Sequence, residues 1–251
     1  MSDRLTRRAF QRRLLDSAIV YGLLDTLWAG DAFAAEVKPI VGDWFKGLDA
    51  LGQDLRGGKL KDVEFQAQME ALFRRVDLAE LLKFADLEAV AKKKLPDNGA
   101  SSSRLDLSRV EGLPAKLAFG QQIFGMKKGR SIVPHGHRNM CTGFVVLKGV
   151  FHGRHYDRVE DHDDHYIIRP TVDATFSAGG VSTISDTKDN VHWFESKTEG
   201  GYVFNVHVIG YDDSLEGVKG RLYLDPDGES VAGGLIRAPK MTSRECHRKY
   251  G

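Results

Sequence analysis

Cysteine is scarce: Cys141 and Cys246 are the two in 251 residues. That excludes a disulfide framework and makes a reducing compartment the simpler expectation. Charge of one sign is also lacking, since 36 Lys and Arg face 35 Asp and Glu for a formal net charge of +1. Such a balance leaves no electrostatic footprint for nucleic acid or an anionic membrane. No apolar run approaches the ~20 residues that a membrane-spanning helix needs. Internal repeats and low-complexity tracts are absent too. What remains is 41% hydrophobic and 28% charged, a globular composition with enough chain for a sizeable core.

The N-terminus admits two readings. "TRRAFQRR" followed by "LLDSAIVYGLLDTLWAGDAFAAE" is similar to a twin-arginine export signal, with Arg7, Arg8, Phe10 and a small-residue end at Ala32-Phe33-Ala34. On that reading residues 1–34 are removed and the protein is periplasmic. Asp16 and Asp25 interrupt the apolar stretch, however, and Leu15, Ile19, Leu23 and Leu27 recur at helical spacing. That favours an amphipathic helix in a cytoplasmic protein.

The chain then divides in grain. Residues 1–104 are expected to be helical, with glycine and proline sparse within each segment. Val63, Met69, Leu72, Phe73 and Val76 mark one apolar face. That face should pack on the second half or on another copy, as in a homodimer. "LPDNGASSS" at 95–103 supplies the boundary. Residues 105–251 are expected to be a β domain. Short runs rich in Val, Ile, Phe, Thr and Tyr alternate there with glycine and aspartate turns, the pattern of a sandwich or barrel. All nine histidines lie in this half.

His135 and His137 are the first candidate ligands. Two apart on a strand, they point to one face and can reach one ion. Solvent-facing histidines would have the same spacing. The surrounding glycines add to the signal. "GRSIVPHGHRNMCTGFVVLKG" resembles the first motif of the cupins, with Gly129 before the pair and Gly149 closing it. Thr142 stands where that motif has a glutamate. "DNVHWFES" offers His192 as a third ligand.

A narrower resemblance follows. "HGHRNMCTGFVVLKGVFHGRHYDR", with Met140, His152, Tyr156 and Asp157, resembles the thiol dioxygenases, especially the plant cysteine oxidase and cysteamine dioxygenase branch. "DNVHWFESKTEGGYVFNVHVIG" resembles that family's second motif. The resemblance covers part of the β half and none of the helical half. It implies a mainly β fold, a cupin jelly-roll barrel preceded by the helical region. It also implies a mononuclear Fe(II) on His135, His137 and His192, and O₂-dependent oxidation of a small thiol or cysteinyl substrate to a sulfinic acid. Three histidines alone would equally suit Zn, Ni, Cu or Co. The alternative function is a non-oxidative metal-binding cupin that binds or senses a small molecule.

Departures from the family bear on the other site residues. Asn205 and His207 fall where mammalian-type cysteine dioxygenases have the serine and histidine of a Ser-His-Tyr run. Both are expected to act on oxygen-derived groups by orienting or protonating them. Cys141 neighbours the position of a cross-linked cysteine but should point the other way. Met140, Thr142, Arg154 and Tyr156 are the candidate pocket residues, and Arg109 is a further guess for a carboxylate partner. "EDHDDHY" sets His162 and His165 among acids, as a second metal site or a solvated loop. "DPDGE" at 225–229 reads as a turn before it reads as a calcium loop.

Overall fold

The computed structural model describes residues 41–215 and 220–251. The signal-like segment 1–34 lies outside them. Among the described residues, helices α1 (Val41–Arg56), α2 (Asp62–Arg74), α3 (Leu78–Phe84) and α4 (Leu87–Ala91) come first. The strands follow as β1 (Ser101–Ser103), β2 (Gly120–Met126), β3 (Ser131–Arg138), β4 (Met140–Lys148), β5 (Val150–Asp161) and β6 (His165–Ser177). Then come β7 (Val181–Ile184), β8 (Val191–Ser196), β9 (Gly201–Ile209), β10 (Gly220–Tyr223), β11 (Glu229–Val231), β12 (Leu235–Pro239) and a closing helix α5 (Ser243–Tyr250). None of the helices is long and apolar enough to cross a membrane.

The strands form two antiparallel sheets, ordered β1-β2-β9-β4-β7 and β10-β3-β8-β5-β6-β12-β11. The inner four of each, β2-β9-β4-β7 against β3-β8-β5-β6, give the strand order of a jelly roll, the architecture of cupins. The serines of "LPDNGASSS" form β1, which pairs with β2 through Ser101 opposite Gly125 and Ser103 opposite Ile123. Sheet structure thus begins at 101, within the stretch expected to be a boundary.

Alternation along each strand decides which side chain goes where. On β4, Phe144 and Val146 join Phe124, Met126, Ile132, Phe151, Ile184, Phe194 and Val203 in an apolar cluster between the sheets. Their neighbours Cys141, Val145 and Leu147 face the other way. There they meet Trp44 and Phe45 of α1 and Phe65, Met69 and Phe73 of α2. The first sheet is therefore covered on both faces, by the second sheet and by helices. This is the packing expected of the helical stripe. Met69, Phe73 and Val76 are buried, Leu72 is half-buried, and Val63 is exposed at the rim.

Close approach makes this contact. A Cβ on Gly143 of β4 would sit 2.9 Å from Met69 Cε and 3.1 Å from Phe73 Cε2, so glycine there admits α2. The Trp44 ring lies 5.2 Å from Phe73 and 5.9 Å from Phe204 of β9, and its Nε1 donates to Leu72 O at 3.0 Å. Arg56 closes the end of α1 by donating to the carbonyls of Ala118, Ile209 and Gly210. The described residues fall in one compact unit.

A candidate metal centre inside the barrel

Strand β3 enters the barrel with an irregularity, and that irregularity makes the site. Ile132 lies opposite Phe194, and His135 opposite His192, so β3 spends one more residue than β8 over the same span. Without the extra residue at Val133-Pro134, His135 and His137 would have the parity of Val133 and point outward. A proline is suited to a bulge because it has no ladder hydrogen to lose. The bulge is pinned from outside. Cys246 of α5 approaches Pro134 O at 3.3 Å, and Ser131 Oγ donates to Tyr250 O at 2.6 Å. Gly129 and Gly149, the two glycines of the motif, have φ of +73° and +91° and close the turns before β3 and after β4.

The result brings His135, His137 and His192 together. One ring nitrogen from each lies within 4.8 Å of the others. Ring centroids are 4.8 Å apart for His135–His137, 4.2 Å for His135–His192 and 5.0 Å for His137–His192. All three are buried. His135 Nδ1 donates to Val133 O at 2.7 Å, which fixes the tautomer and leaves Nε2 with its lone pair. Both nitrogens of His137 and both of His192 have no hydrogen-bond partner. A buried polar atom left so costs about 1–3 kcal/mol. Three such imidazoles facing one point fit a metal ion, which would satisfy one nitrogen of each ring.

Electrostatics agree with that donor set. Burial is the main cause that drives His135 and His192 well below the usual histidine range and His137 down to about 3, with Arg221 adding to each. The rings are thus neutral at physiological pH, the state in which imidazole binds a metal. Asn190 supports the cluster from behind by donating to His137 O at 2.9 Å. A Cβ on Gly136 would sit 2.8 Å from Asn190 Oδ1, so the glycine between the two ligands makes room for that amide.

The opposite wall belongs to the first sheet. Thr142, Asn205 and His207 share the inward parity of Phe144 and Val203. Asn205 Nδ2 donates to Thr142 Oγ1 at 2.6 Å and to Gly143 O at 3.1 Å, so its Oδ1 is left to accept. His207 Nδ1 is 3.0 Å from that oxygen and is therefore the protonated nitrogen, with Nε2 the acceptor. Burial, with Arg221 and Arg104, lowers His207 to about 4. The Thr142 hydroxyl donates to Val206 O at 2.9 Å, so both its donor and an acceptor position are already used. Met140, opposite Ile209, has the same inward parity.

Other expected pocket residues lie elsewhere. On β5 the inward residues are Phe151, Gly153 and His155, so Arg154 and Tyr156 face out, a correction that one residue of parity makes. Arg154 lies 4.4 Å over the Trp193 ring and pairs with Asp173 at 3.7 Å. Tyr156 packs with Tyr166, Ile168, Val191, Leu224 and Ala238 on the far face of the second sheet. His152 bonds Asp173 outside as well. Arg109 lies 4.1 Å over Phe84, beside the helices. Trp193 faces α5, while Phe194 does line the barrel, 5.3 Å from Phe144.

Two residues inside were not among the candidates. His155 stands opposite His192 and is buried, with Nε2 2.8 Å from Ser182 Oγ and Nδ1 unpartnered. Burial pushes it to about 4 against the pull of Asp189 and Glu70. Gln122 bridges Ser102 and Asn205 on the first sheet. Counting alternation forward from Phe151 in "GVFHGRHYD" finds His155.

No family model and no curated protein matches this chain. Solved structures to which it is similar include procruciferin, an 11S globulin from Brassica napus, at 12% identity and TM-score 0.30, covering 36% of this chain and 20% of that one. An oxalate oxidase is similar at 15% identity and TM-score 0.34, with 45% of this chain and 52% of that one covered. A cupin superfamily protein from Desulfitobacterium hafniense DCB-2 is similar at 11% and 0.31, with 46% and 83% covered. The chain thus spans less than two thirds of the procruciferin and of the oxalate oxidase. Likeness of this degree concerns the fold and assigns no activity.

Proposed function

We propose that His135, His137 and His192 hold an Fe(II) ion and that the protein oxidises a small thiol with O₂ to a sulfinic acid. The observation that supports this reading best is the donor set itself, three buried neutral imidazoles with Thr142 where a carboxylate would complete a fourth ligand. Neutral ligands leave the ion its full positive charge, which favours a thiolate over a thiol, and three protein ligands leave positions open on a six-coordinate ion. The balance R–SH + O₂ → R–SO₂H places both oxygen atoms on sulfur and needs no external reductant.

The chain's own residues supply the surroundings. Phe144 and Phe194 close the barrel below His192 and exclude water, the Phe144 ring lying 5.4 Å from His192. His207, neutral and with Nε2 as its acceptor, would take the thiol proton and return it. Asn205 holds the tautomer that makes this acceptor available.

The test is direct. Protein reconstituted with Fe(II) without oxygen is given O₂ with cysteine, cysteamine, mercaptopropionate or N-terminal-cysteine peptides. The expected result is uptake of one O₂ per sulfinate formed from at least one of them. Stoichiometric metal with no uptake would contradict the proposal and point to the metal-binding cupin that only binds or senses.

A further inference from the structure

The helix layer meets the ligand-bearing strands through polar groups as well as apolar ones. On α2, Asp62, Gln66 and Glu70 recur every fourth residue and so share one side of the helix. All three bond β7 or the loop 185–190 that joins it to β8. Thr187 N donates to Asp62 Oδ2 at 2.8 Å. Gln66 Nε2 donates to Thr183 O at 2.9 Å and to Asp189 Oδ2 at 3.2 Å. Thr183 Oγ1 donates to Glu70 Oε2 at 3.3 Å. Gln66 and Asp189 are 4% and 6% exposed. Both partners of the Gln66 amide can only accept, so its nitrogen must face them, and Oε1 is left buried without a partner. A helix that only covered the sheet would be better served by an apolar side chain there.

The loop that α2 grips leads directly to the metal centre. His192 is the second residue of β8, two after Asn190. The Asn190 amide ties the loop to the other ligand strand, donating to His137 O at 2.9 Å and to Asp186 O at 3.1 Å. Asp186 accepts from the backbone N–H of Asn139 and, at 3.5 Å, from that of Met140, at the turn that follows His137. Asp189 stands in the left-handed region at φ +55°, a conformation that a non-glycine residue keeps only where its surroundings fix it. Its N–H donates to Asp157 Oδ1 at 2.9 Å, and its carboxylate is the group that Gln66 holds. One short loop therefore precedes His192, supports His137 and is held from outside by α2.

We propose that Gln66 and Asp62 are positioning residues for the metal centre, acting through the 185–190 loop to set where His192 and His137 stand. The helical layer is then part of the frame of the metal site as well as a cover for the sheet. The resemblance carried by the histidine motif covers none of the helical half, so this support comes from the part of the chain that the resemblance leaves out. Partners that support metal ligands fix the orientation of the rings, and their loss weakens metal binding by roughly 10–100-fold. The proposal rests on the reading of the three histidines as a metal site and is independent of thiol oxidation.

The Zn(II) affinity of the full-length protein is measured by chelator competition, beside its unfolding in denaturant. Gln66→Met keeps the length of the side chain and removes its donor, and it is expected to weaken Zn(II) binding by roughly 10–100-fold. Asp62→Ala, at the half-buried start of α2, should lose less in the same direction, and it carries the test if Q66M does not fold. Phe45→Leu of α1, whose ring packs on Phe84 and Phe204, should lower stability and leave Zn(II) affinity unchanged. Affinity unchanged in Q66M, or in D62A where Q66M does not fold, would overturn the proposal. So would equal losses in Q66M and F45L, since a merely structural role moves both alike. Wild-type protein that takes up no Zn(II) would instead overturn the metal reading, and the proposal with it.

Discussion

His162 and His165 stack their rings 4.4 Å apart at the exposed tip of the β5–β6 hairpin, while His135 and His192 bring theirs to 4.2 Å inside the barrel. The two groups are equally close, and both come from the same half of the chain. They differ in what satisfies the nitrogens. His162 Nε2 meets Glu160 at 2.8 Å and His165 Nδ1 meets Asp164 at 2.6 Å, all near water. The barrel rings have no such partners on His137 and His192, and both are buried from solvent. Proximity of histidines is therefore weak evidence for a metal, and burial with unused nitrogens is strong evidence.

Mutation should separate the two groups most sharply in metal affinity. Removing a ligand outright should cost more than the roughly 10–100-fold that loss of a supporting partner costs. His137→Ala or His192→Ala is expected to abolish binding in a chelator competition, whereas H162A with H165A leaves the dissociation constant unchanged. Equal losses in both would erase the distinction.

The helix layer gives the next largest effect. Trp44 is wholly buried between α2 and β9, so Trp44→Ala should lower unfolding free energy by about 3–5 kcal/mol in a denaturant titration. A loss near zero would show that the helices are an appendage rather than part of the fold.

Acid should act on the barrel histidines as well. His137 and His207 have folded-state values of about 3 and about 4, below the ordinary 6.5. The unfolded chain therefore takes up their protons first. Stability of the metal-free protein is full above 6.5 and falls as pH drops through the window toward 3–4. His207→Gln should flatten that slope. Smaller still, Asn205→Ala strips Thr142 Oγ1 and His207 Nδ1 of a partner and should cost about 1–3 kcal/mol. His162→Ala alone should stay within about 0.5 kcal/mol.

How much of this the sequence disclosed depends on the physics of each signal. Alternation is local, so Thr142 inward and Cys141 outward could be read from "MCTGFVV" alone. A sandwich or barrel is legible because turn glycines and short β-rich runs repeat through residues 105–251, and the jelly roll is what the resemblance to the cupins implies. The bulge at Val133-Pro134 was hinted at by the proline, but its consequence depends on pairing with β8, which no single strand shows. Motif position suggests Tyr156 for the pocket and its place on the strand after Gly149 suggests Arg154, and parity carries both outside. His155 has the inward parity, and no motif names it. Arg221 needed the register of β10 on β3, a contact across more than 80 residues of chain. The stripe on α2 announced a buried face, and only the fold shows that Gly143 receives it.

The central claim is that the three barrel histidines are a metal site. Elemental analysis of the full-length protein as purified, without added metal or chelator, tests it most directly. The account predicts about one transition-metal ion per chain, lost in H192A and kept in H162A. Wild-type protein that is folded yet holds no stoichiometric metal, and takes up none when Fe(II), Zn(II) or Ni(II) is offered, would contradict it.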